Sequence, residues 1–316
     1  MGISRKQALE CFYSEDLIGI GMEADAVRRR LHPESVVSYT VEGKIDCGAA
    51  SLDEICEQIG RAVELGGTGV VLRGGVGAVA TLESLERLLA RVKERFPAVW
   101  VHGLSAGEIV AAAGGSGLPV WDSIVRLRDA GLDSISGDDA EILDDAVQHQ
   151  GGRLRCSAED WVKVHRTAHG LGMRTTATML FGGGETVEQR LNHLEAVRRL
   201  QEETGGFTAF TPIAFQPQWS GVQGFEEATA VEYLKTLAIS RMYLDIIVNV
   251  QTDLETQGLK VLQMGLRFGG NDVGSVALEN AGSPNAATEE QLRQVIRDAG
   301  FKPVRRDTVY RTMFLN

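Results

Sequence analysis

Apolar positions along the chain follow two alternating rhythms. Short runs rich in Val, Ile, Thr and aromatic residues lead into a loop carrying glycine or acid, and then into a stretch whose apolar residues recur every three or four positions. The first rhythm belongs to buried or half-buried strands, the second to amphipathic helices packed on them. The pattern predicts strands over residues 36–45, 69–75, 98–105, 132–137, 174–182, 207–215, 246–254 and 265–275. Between the first two, SLDEICEQIGRAVELG (51–66) predicts a helix with Ser51 and Glu54 as a capping box and Leu52, Ile55, Ile59 and Val63 along one face. TLESLERLLARVKERF (81–96), AEDWVKVHRTAHGLG (158–172) and EEQLRQVIRDAGF (289–301) repeat the period, and the last two run into glycine, as helix ends often do.

Eight such strand–helix units predict a closed (β/α)8 barrel of the TIM type, with a doubly wound open sheet as the other arrangement the pattern allows. A helical segment at about residues 4–31 would cap the bottom of the barrel or flank it. The expected division is residues 1–33 as an N-terminal helical extension and 34–316 as the barrel. With 316 residues, 43% of them hydrophobic, one large core is within reach. In a barrel, chemistry belongs at the loops that follow the C-terminal ends of the strands.

Charge narrows the partners. A formal net charge of −11 without a long Lys/Arg run argues against nucleic acid or an anionic membrane, and for a small-molecule substrate. No apolar stretch approaches the roughly 20 residues of a membrane helix, and MGISRKQALECFYSEDLIGI lacks the apolar core of a signal peptide, so a cytoplasmic protein is expected. Cysteines 11, 47, 56 and 156 are too few and too scattered for a disulfide framework.

Four longer motifs carry a resemblance: MRTTATMLFGGGET (173–186), LQEETGGFTAFTPIAFQP (200–217), TQGLKVLQMGLRFGGNDVGSV (256–276) and IRDAGFKPVRRDTVY (296–310). In this order they resemble the radical S-adenosylmethionine enzymes of the futalosine route to menaquinone, which include dehypoxanthine futalosine cyclase and aminofutalosine synthase. The resemblance runs from about residue 14 to the end and implies a radical-SAM-like TIM barrel that binds S-adenosylmethionine. That family carries a C-x3-C-x2-C loop after strand one, whose thiolates hold a [4Fe–4S] cluster. Here SYTVEGKIDCGAASLDEICEQI (38–59) contains only Cys47 and Cys56. A four-iron cluster needs three protein thiolates converging on one point. The expectation is therefore S-adenosylmethionine, as substrate or cosubstrate, bound without a [4Fe–4S] cluster.

Residue by residue, the resemblance implies that Gly74 and Gly75 receive the methionine amino group, that Glu141 meets the ribose hydroxyls, and that Arg155 meets the carboxylate with two parallel donors. Thr176, Thr178 and the FGGG run 181–184 would border the adenine or the substrate. Departures from the family fall at predicted strand ends: Asp138 and Asp139 after strand four, GGGE with Glu185 kept after strand five, and QTDLETQG with Asp253 and Glu255 at strand seven. Strand alternation would put Asp253 and Glu255 on one side, so that two carboxylates enter the top of the barrel. Acids converging there must hold a cation, share protons or point elsewhere. The cation would be S-adenosylmethionine itself, or a divalent metal bound with His102 and Cys47. The plainer alternatives are solvated or capping acids at 138 and 139, and a satisfied core histidine at 102. Histidines 32, 149, 165, 169 and 193 read as structural.

The resulting expectation is a lyase with Asp253, Glu255 and Glu185 as its catalytic acids. Asp253 or Glu255 would remove the α-proton of S-adenosylmethionine, Cα would attack Cγ, and methylthioadenosine would leave, giving 1-aminocyclopropane-1-carboxylate by non-radical chemistry. The alternatives are an enzyme acting on a futalosine-like nucleoside in menaquinone-type metabolism, and a non-catalytic nucleotide-binding paralogue.

Overall fold

Strand β1 (Val36–Asp46) shows how the chain builds its two surfaces. Val37, Tyr39, Val41 and Ile45 are buried apolar residues, while Ser38, Thr40, Glu42 and Lys44 alternate with them. Successive side chains of a strand point to opposite faces. The apolar set packs outward against helices, and the polar set lines the interior. The computed structural model describes residues 2–48, 50–73, 81–138, 140–147, 156–217, 226–277, 285, 287–311 and 313–314.

Two helices, α1 (Arg5–Tyr13) and α2 (Leu17–Leu31), precede β1. After it come α3 (Leu52–Glu64), β2 (Gly69–Arg73), α4 (Leu82–Arg95), β3 (Trp100–Gly103), α5 (Ala106–Ser116), α6 (Val120–Ala130), β4 (Ser134–Ile135), α7 (Ala158–Gly170), β5 (Arg174–Phe181), α8 (Val187–Thr204) and β6 (Phe207–Ala214). The chain continues through α9 (Ala230–Tyr243), β7 (Asn249–Val250), α10 (Leu254–Gly265), β8 (Asp272–Ala277), α11 (Glu289–Asp298), β9 (Lys302–Arg306) and β10 (Met313–Phe314). Strands β1 to β7 pair in sequence order, all parallel, and β8 pairs with β1. A single parallel bridge, Gln251 to Asp272, joins the end of β7 to β8. The result is a nearly closed eight-stranded parallel barrel, as the alternating pattern predicts, rather than an open sheet.

Local chemistry sets the helix starts. Ser51 accepts from the Glu54 amide and Glu54 accepts from the Ser51 amide at 2.6 Å, the capping box expected from the sequence. Ile55, Cys56 and Ile59 lie buried on the inner side of this helix. The N-terminal segment is two helices, because Asp16 caps a fresh start by accepting from Gly19 N at 2.8 Å; both helices pack against α9.

Strand boundaries differ from the sequence pattern at β3, which is confined to Trp100–Gly103, and at β4, β7 and β8. β4 is two residues long, and β7 stops at Val250 because Asp253 caps α10, so Asp253 and Glu255 are not alternating strand positions. β8 starts at Asp272, since residues 265–271 finish α10 and turn. β9 and β10 are additional. β9 runs parallel to Val36–Tyr39 of β1, and β10 is antiparallel to β9.

The C-terminal segment closes the N-terminal end of the barrel. Arg306, at the end of β9, makes two hydrogen bonds to the Asp272 carboxylate, at 2.6 and 2.9 Å. Its guanidinium lies 3.8 Å from the Tyr310 ring centroid, and the Tyr310 hydroxyl accepts from Gln251 Nε2 at 2.8 Å. Thr308 donates to Glu42 beside Gly69, the first residue of β2. Burial opposes the charge on Arg306, but the Asp272 carboxylate, helped by Tyr310 and Glu42, more than offsets it and holds the group protonated. On the outer face, Leu292 and Ile296 of α11 are fully buried against Val37, Tyr39 and Val41 of β1. Arg293 donates to the Tyr39 hydroxyl, which in turn donates to Glu289.

Candidate active site

The C-terminal strand ends gather most of the residues the sequence singles out. After β4 the backbone of Gly137 is held from both sides by β5: its amide donates to Thr176 Oγ1 at 3.0 Å, and its carbonyl accepts from Thr178 Oγ1 at 2.7 Å. A Cβ on Gly137 would lie 2.5 Å from the Thr176 carbonyl oxygen, so only glycine allows this approach. The clasp fixes the loop that carries Asp138, half-buried, whose amide donates to Ser136 Oγ at 3.2 Å. Three residues on, Glu141 is buried with φ at 40°, a left-handed conformation unusual for glutamate. The Glu141 carbonyl accepts from Leu180 N, which ties the strained turn to β5. Strain of this kind concentrates at functional sites.

Glu185 occupies a different setting from that expected of a catalytic acid. Its carboxylate accepts from Gly182 N at 2.7 Å, Gly183 N at 2.9 Å and Arg190 Nε at 2.6 Å, and its side chain is 1% exposed. Arg190 also pairs with Glu232 and lies over the Phe181 ring. Glu185 is therefore a clamp on the turn after β5.

Asp253 and Glu255 stay close together at the mouth, but for a reason other than strand alternation. The Asp253 carboxylate accepts from Glu255 N at 3.2 Å, from Thr256 N at 3.0 Å and from Thr256 Oγ1, and the Asp253 amide donates to the Tyr233 hydroxyl. Burial pushes the Asp253 carboxyl above its usual pKa, and the Glu255 charge adds to this against the Thr256 hydrogen bonds. Glu255 projects from the first turn of α10 and pairs with Lys44 Nζ at 2.9 Å. The cation Glu255 meets is thus Lys44 of β1, a residue the motif reading passed over. Its signal was present in the polar half of VVSYTVEGKI.

His102 Nδ1 lies 2.7 Å from Ser134 Oγ, which also accepts from Trp100 Nε1 at 2.9 Å. Cys47, at the end of β1, is half-buried and donates to the Ile45 carbonyl at 3.8 Å. Neither joins a cluster: among the described residues no group of three or more His, Cys, Asp or Glu side chains is placed to hold a metal ion. Gly74, Gly75, Asp139, His149 and Arg155 lie outside the described residues. Burial lowers His169 to about 4 and His193 to about 3. Leu143 N donates to His193 Nδ1, consistent with a structural role. No helix among the described residues is long and apolar enough to cross a membrane.

The barrel is of the kind seen in methylornithine synthase (PylB), whose structure superposes with a TM-score of 0.70 at 16% identity, covering 96% of this chain and 94% of that one. Residues 204–315 match the family model described as the CofH/MqnC C-terminal region. Cyclic dehypoxanthine futalosine synthase of Streptomyces coelicolor is 35% identical, covering 98% of this chain and 85% of the relative. Aminodeoxyfutalosine synthase of Thermus thermophilus is 40% identical, covering 71% of this chain and 63% of the relative. The chain belongs to the futalosine-pathway family of radical S-adenosylmethionine enzymes.

Membership corrects the cofactor expectation. Enzymes of this family use S-adenosylmethionine together with a [4Fe–4S] cluster, which overturns the expectation of a cluster-free site with an optional divalent metal. The donor set for such a cluster is a group of converging thiolates. The four cysteines of the chain do not fit that set by themselves: Cys11 lies on α1, Cys47 at the end of β1, Cys56 in the buried face of α3 and Cys156 just before α7.

Proposed function

We propose that this protein is a futalosine-type synthase that acts on a nucleoside-like substrate held in the polar interior of the barrel. Similarity over 98% of this chain and 85% of the cyclic dehypoxanthine futalosine synthase carries the reading, because it spans the whole barrel rather than one motif. The residues at the mouth divide the work. Thr176 and Thr178 fix the loop bearing Asp138 and Glu141, and that loop is the wall assigned to S-adenosylmethionine, with the Glu141 carboxylate toward ribose hydroxyls. Lys44 and Glu255 form a charged pair at the opposite wall, suited to orienting a polar substrate.

Displacement of methylthioadenosine within S-adenosylmethionine finds less support in the geometry. That chemistry needs a free base, whereas Asp253 is engaged in capping α10 and Glu255 is paired with Lys44. The test is incubation of anaerobically handled protein with dehypoxanthine futalosine, S-adenosylmethionine and a reductant, read by mass spectrometry. A new product derived from dehypoxanthine futalosine supports the synthase reading. Dehypoxanthine futalosine recovered unchanged while methylthioadenosine accumulates would replace it with the displacement reading.

A further inference from the structure

Gln251, just after β7, ties the barrel interior to the C-terminal segment that closes its floor. Its Oε1 accepts from Thr211 Oγ1 at 2.7 Å, and its Nε2 donates to the Tyr310 hydroxyl at 2.8 Å. The Tyr310 hydroxyl also hydrogen-bonds the Asp272 carboxylate, and burial raises its pKa, so the phenol keeps its proton. Tyr310 takes this position with φ at 60°, a left-handed conformation uncommon for a bulky residue.

The acid at one end of this relay fixes every role along it. Asp272, ionised beside Arg306, can only accept, so Tyr310 donates to it and keeps lone pairs for Gln251. The Gln251 amide must then turn its N–H toward Tyr310 and its oxygen toward Thr211. Thr211 must in turn donate its one proton to Gln251. Toward any third partner Thr211 is therefore an acceptor only.

Open space reaches Thr211 from the mouth. Thr211 pairs in register with Thr178 of β5, and one inward position nearer the mouth Ile213 pairs with Leu180. Thr211, Ile213 and Leu180 are partly exposed, although each lies within a paired strand, and neither Ile213 nor Leu180 belongs to an apolar cluster beneath the helices. Their neighbours Phe210, Ala214, Met179 and Phe181 do. Strand alternation thus turns the first set toward the interior. One layer below, Ala209 and Asn249 are 0% and 6% exposed, so on this side the space ends at Thr211 and Gln251.

We infer that Thr211 is a specificity residue that accepts a hydrogen bond from a substrate hydroxyl at the floor of the barrel interior, and that Tyr310 is the positioning residue that holds Thr211 in its accepting state. The inference rests on the synthase reading and names what the deep end of the substrate must carry, a hydrogen-bond donor. An ether oxygen at the same place would set lone pair against lone pair.

The test uses the full chain and titrates dehypoxanthine futalosine and its sugar-O-methyl ethers calorimetrically in the presence of S-adenosylmethionine. Wild type is expected to favour the free alcohol. Thr211→Val is expected to remove about fivefold of that preference, the scale of one neutral hydrogen bond, and Thr211→Ser to retain it. Valine has nearly the shape of threonine, so a preference arising only from the bulk of the methyl group would persist in Thr211→Val. Tyr310→Phe keeps a ring over Arg306 but releases the Gln251 amide to turn, so the same preference should fall although no atom lining the interior has changed. A purely structural Tyr310 would weaken all probes equally, and an unchanged ratio in Tyr310→Phe overturns its positioning role. Equal binding of alcohol and ethers by wild type, or a preference unchanged in Thr211→Val, overturns the acceptor site and leaves the synthase reading intact. No binding of any probe by wild type overturns the synthase reading and the acceptor site with it.

Discussion

Lys44 on β1 and Glu255 on the first turn of α10 meet at 2.9 Å at the C-terminal mouth of the barrel, joining segments 211 residues apart in sequence. Both side chains remain partly exposed, at 27% and 36%. Pairs in such a setting contribute only about 0–1 kcal/mol to stability. Lys44→Ala should therefore leave the urea midpoint almost unchanged. It should also lower kcat/KM for dehypoxanthine futalosine by about tenfold or more, as expected when a positioning group is removed. Equal losses of stability and activity would reduce the pair to a strut.

At the other end of the barrel, Arg306 and Asp272 should behave in the opposite way. Their side chains are 2% and 0% exposed, and removing one partner strands a buried charge. Arg306→Met should destabilise the protein by about 3–5 kcal/mol. Equilibrium urea unfolding reads this directly, and a cost under about 1 kcal/mol would show that the closure by β9 is not essential to the fold.

Glu185 is expected to act through the turn it holds. Glu185→Gln keeps the shape but weakens two charge-assisted amide contacts and the Arg190 pair, at about 1.5–3 kcal/mol for each hydrogen bond to charge. Activity should fall while the pH profile of kcat keeps its inflections. A lost inflection would restore Glu185 to the role of a proton-transfer group.

Asp253 and the buried histidines shape the pH dependence of stability in different ways. The folded-state pKa of Asp253 is raised, so its ionisation costs the native state stability as pH climbs through that pKa. Asparagine caps helices about as well as aspartate, so Asp253→Asn should be neutral or stabilising at pH 7, whereas Asp253→Ala should cost about 1 kcal/mol. His169 and His193 are depressed to about 4 and about 3. The unfolded chain therefore takes up protons first, and stability contributed by the neutral rings is present above about pH 6.5 and lost as pH falls toward 4. The melting temperature against pH should show this decline, and replacing His193, whose Nε2 is buried without a partner among the described residues, with Phe should flatten it.

Periodicity alone made the barrel legible. Alternation in 36–45 separated Val37, Tyr39 and Val41 from Ser38, Thr40 and Glu42, and the spacing in 51–66 placed Ile55 and Ile59 inside with Ser51 as cap. The family motifs were readable for the same reason, being contiguous runs of residues. Where the sequence reading failed, it extended a local rule past its range. Asp253 and Glu255 look like alternating strand positions until Thr256 and the α10 amides claim the aspartate, a competition no strand pattern registers.

By itself the sequence determined the alternating order of strands and helices in the barrel, which faces of β1 and α3 are apolar, and to which family the chain belongs, because burial and turn chemistry act over a few neighbouring residues. The tertiary structure decided which polar groups are paired and which are left open. Ser38 meets Asp272 across 234 positions and Thr308 meets Glu42 across 266. A one-residue bulge in β8 sets Ser275, rather than Gly274, opposite Thr40. Those partnerships exist only once the barrel closes, since a hydrogen bond depends on separation in space and alternation along a strand specifies a face without naming what lies across from it.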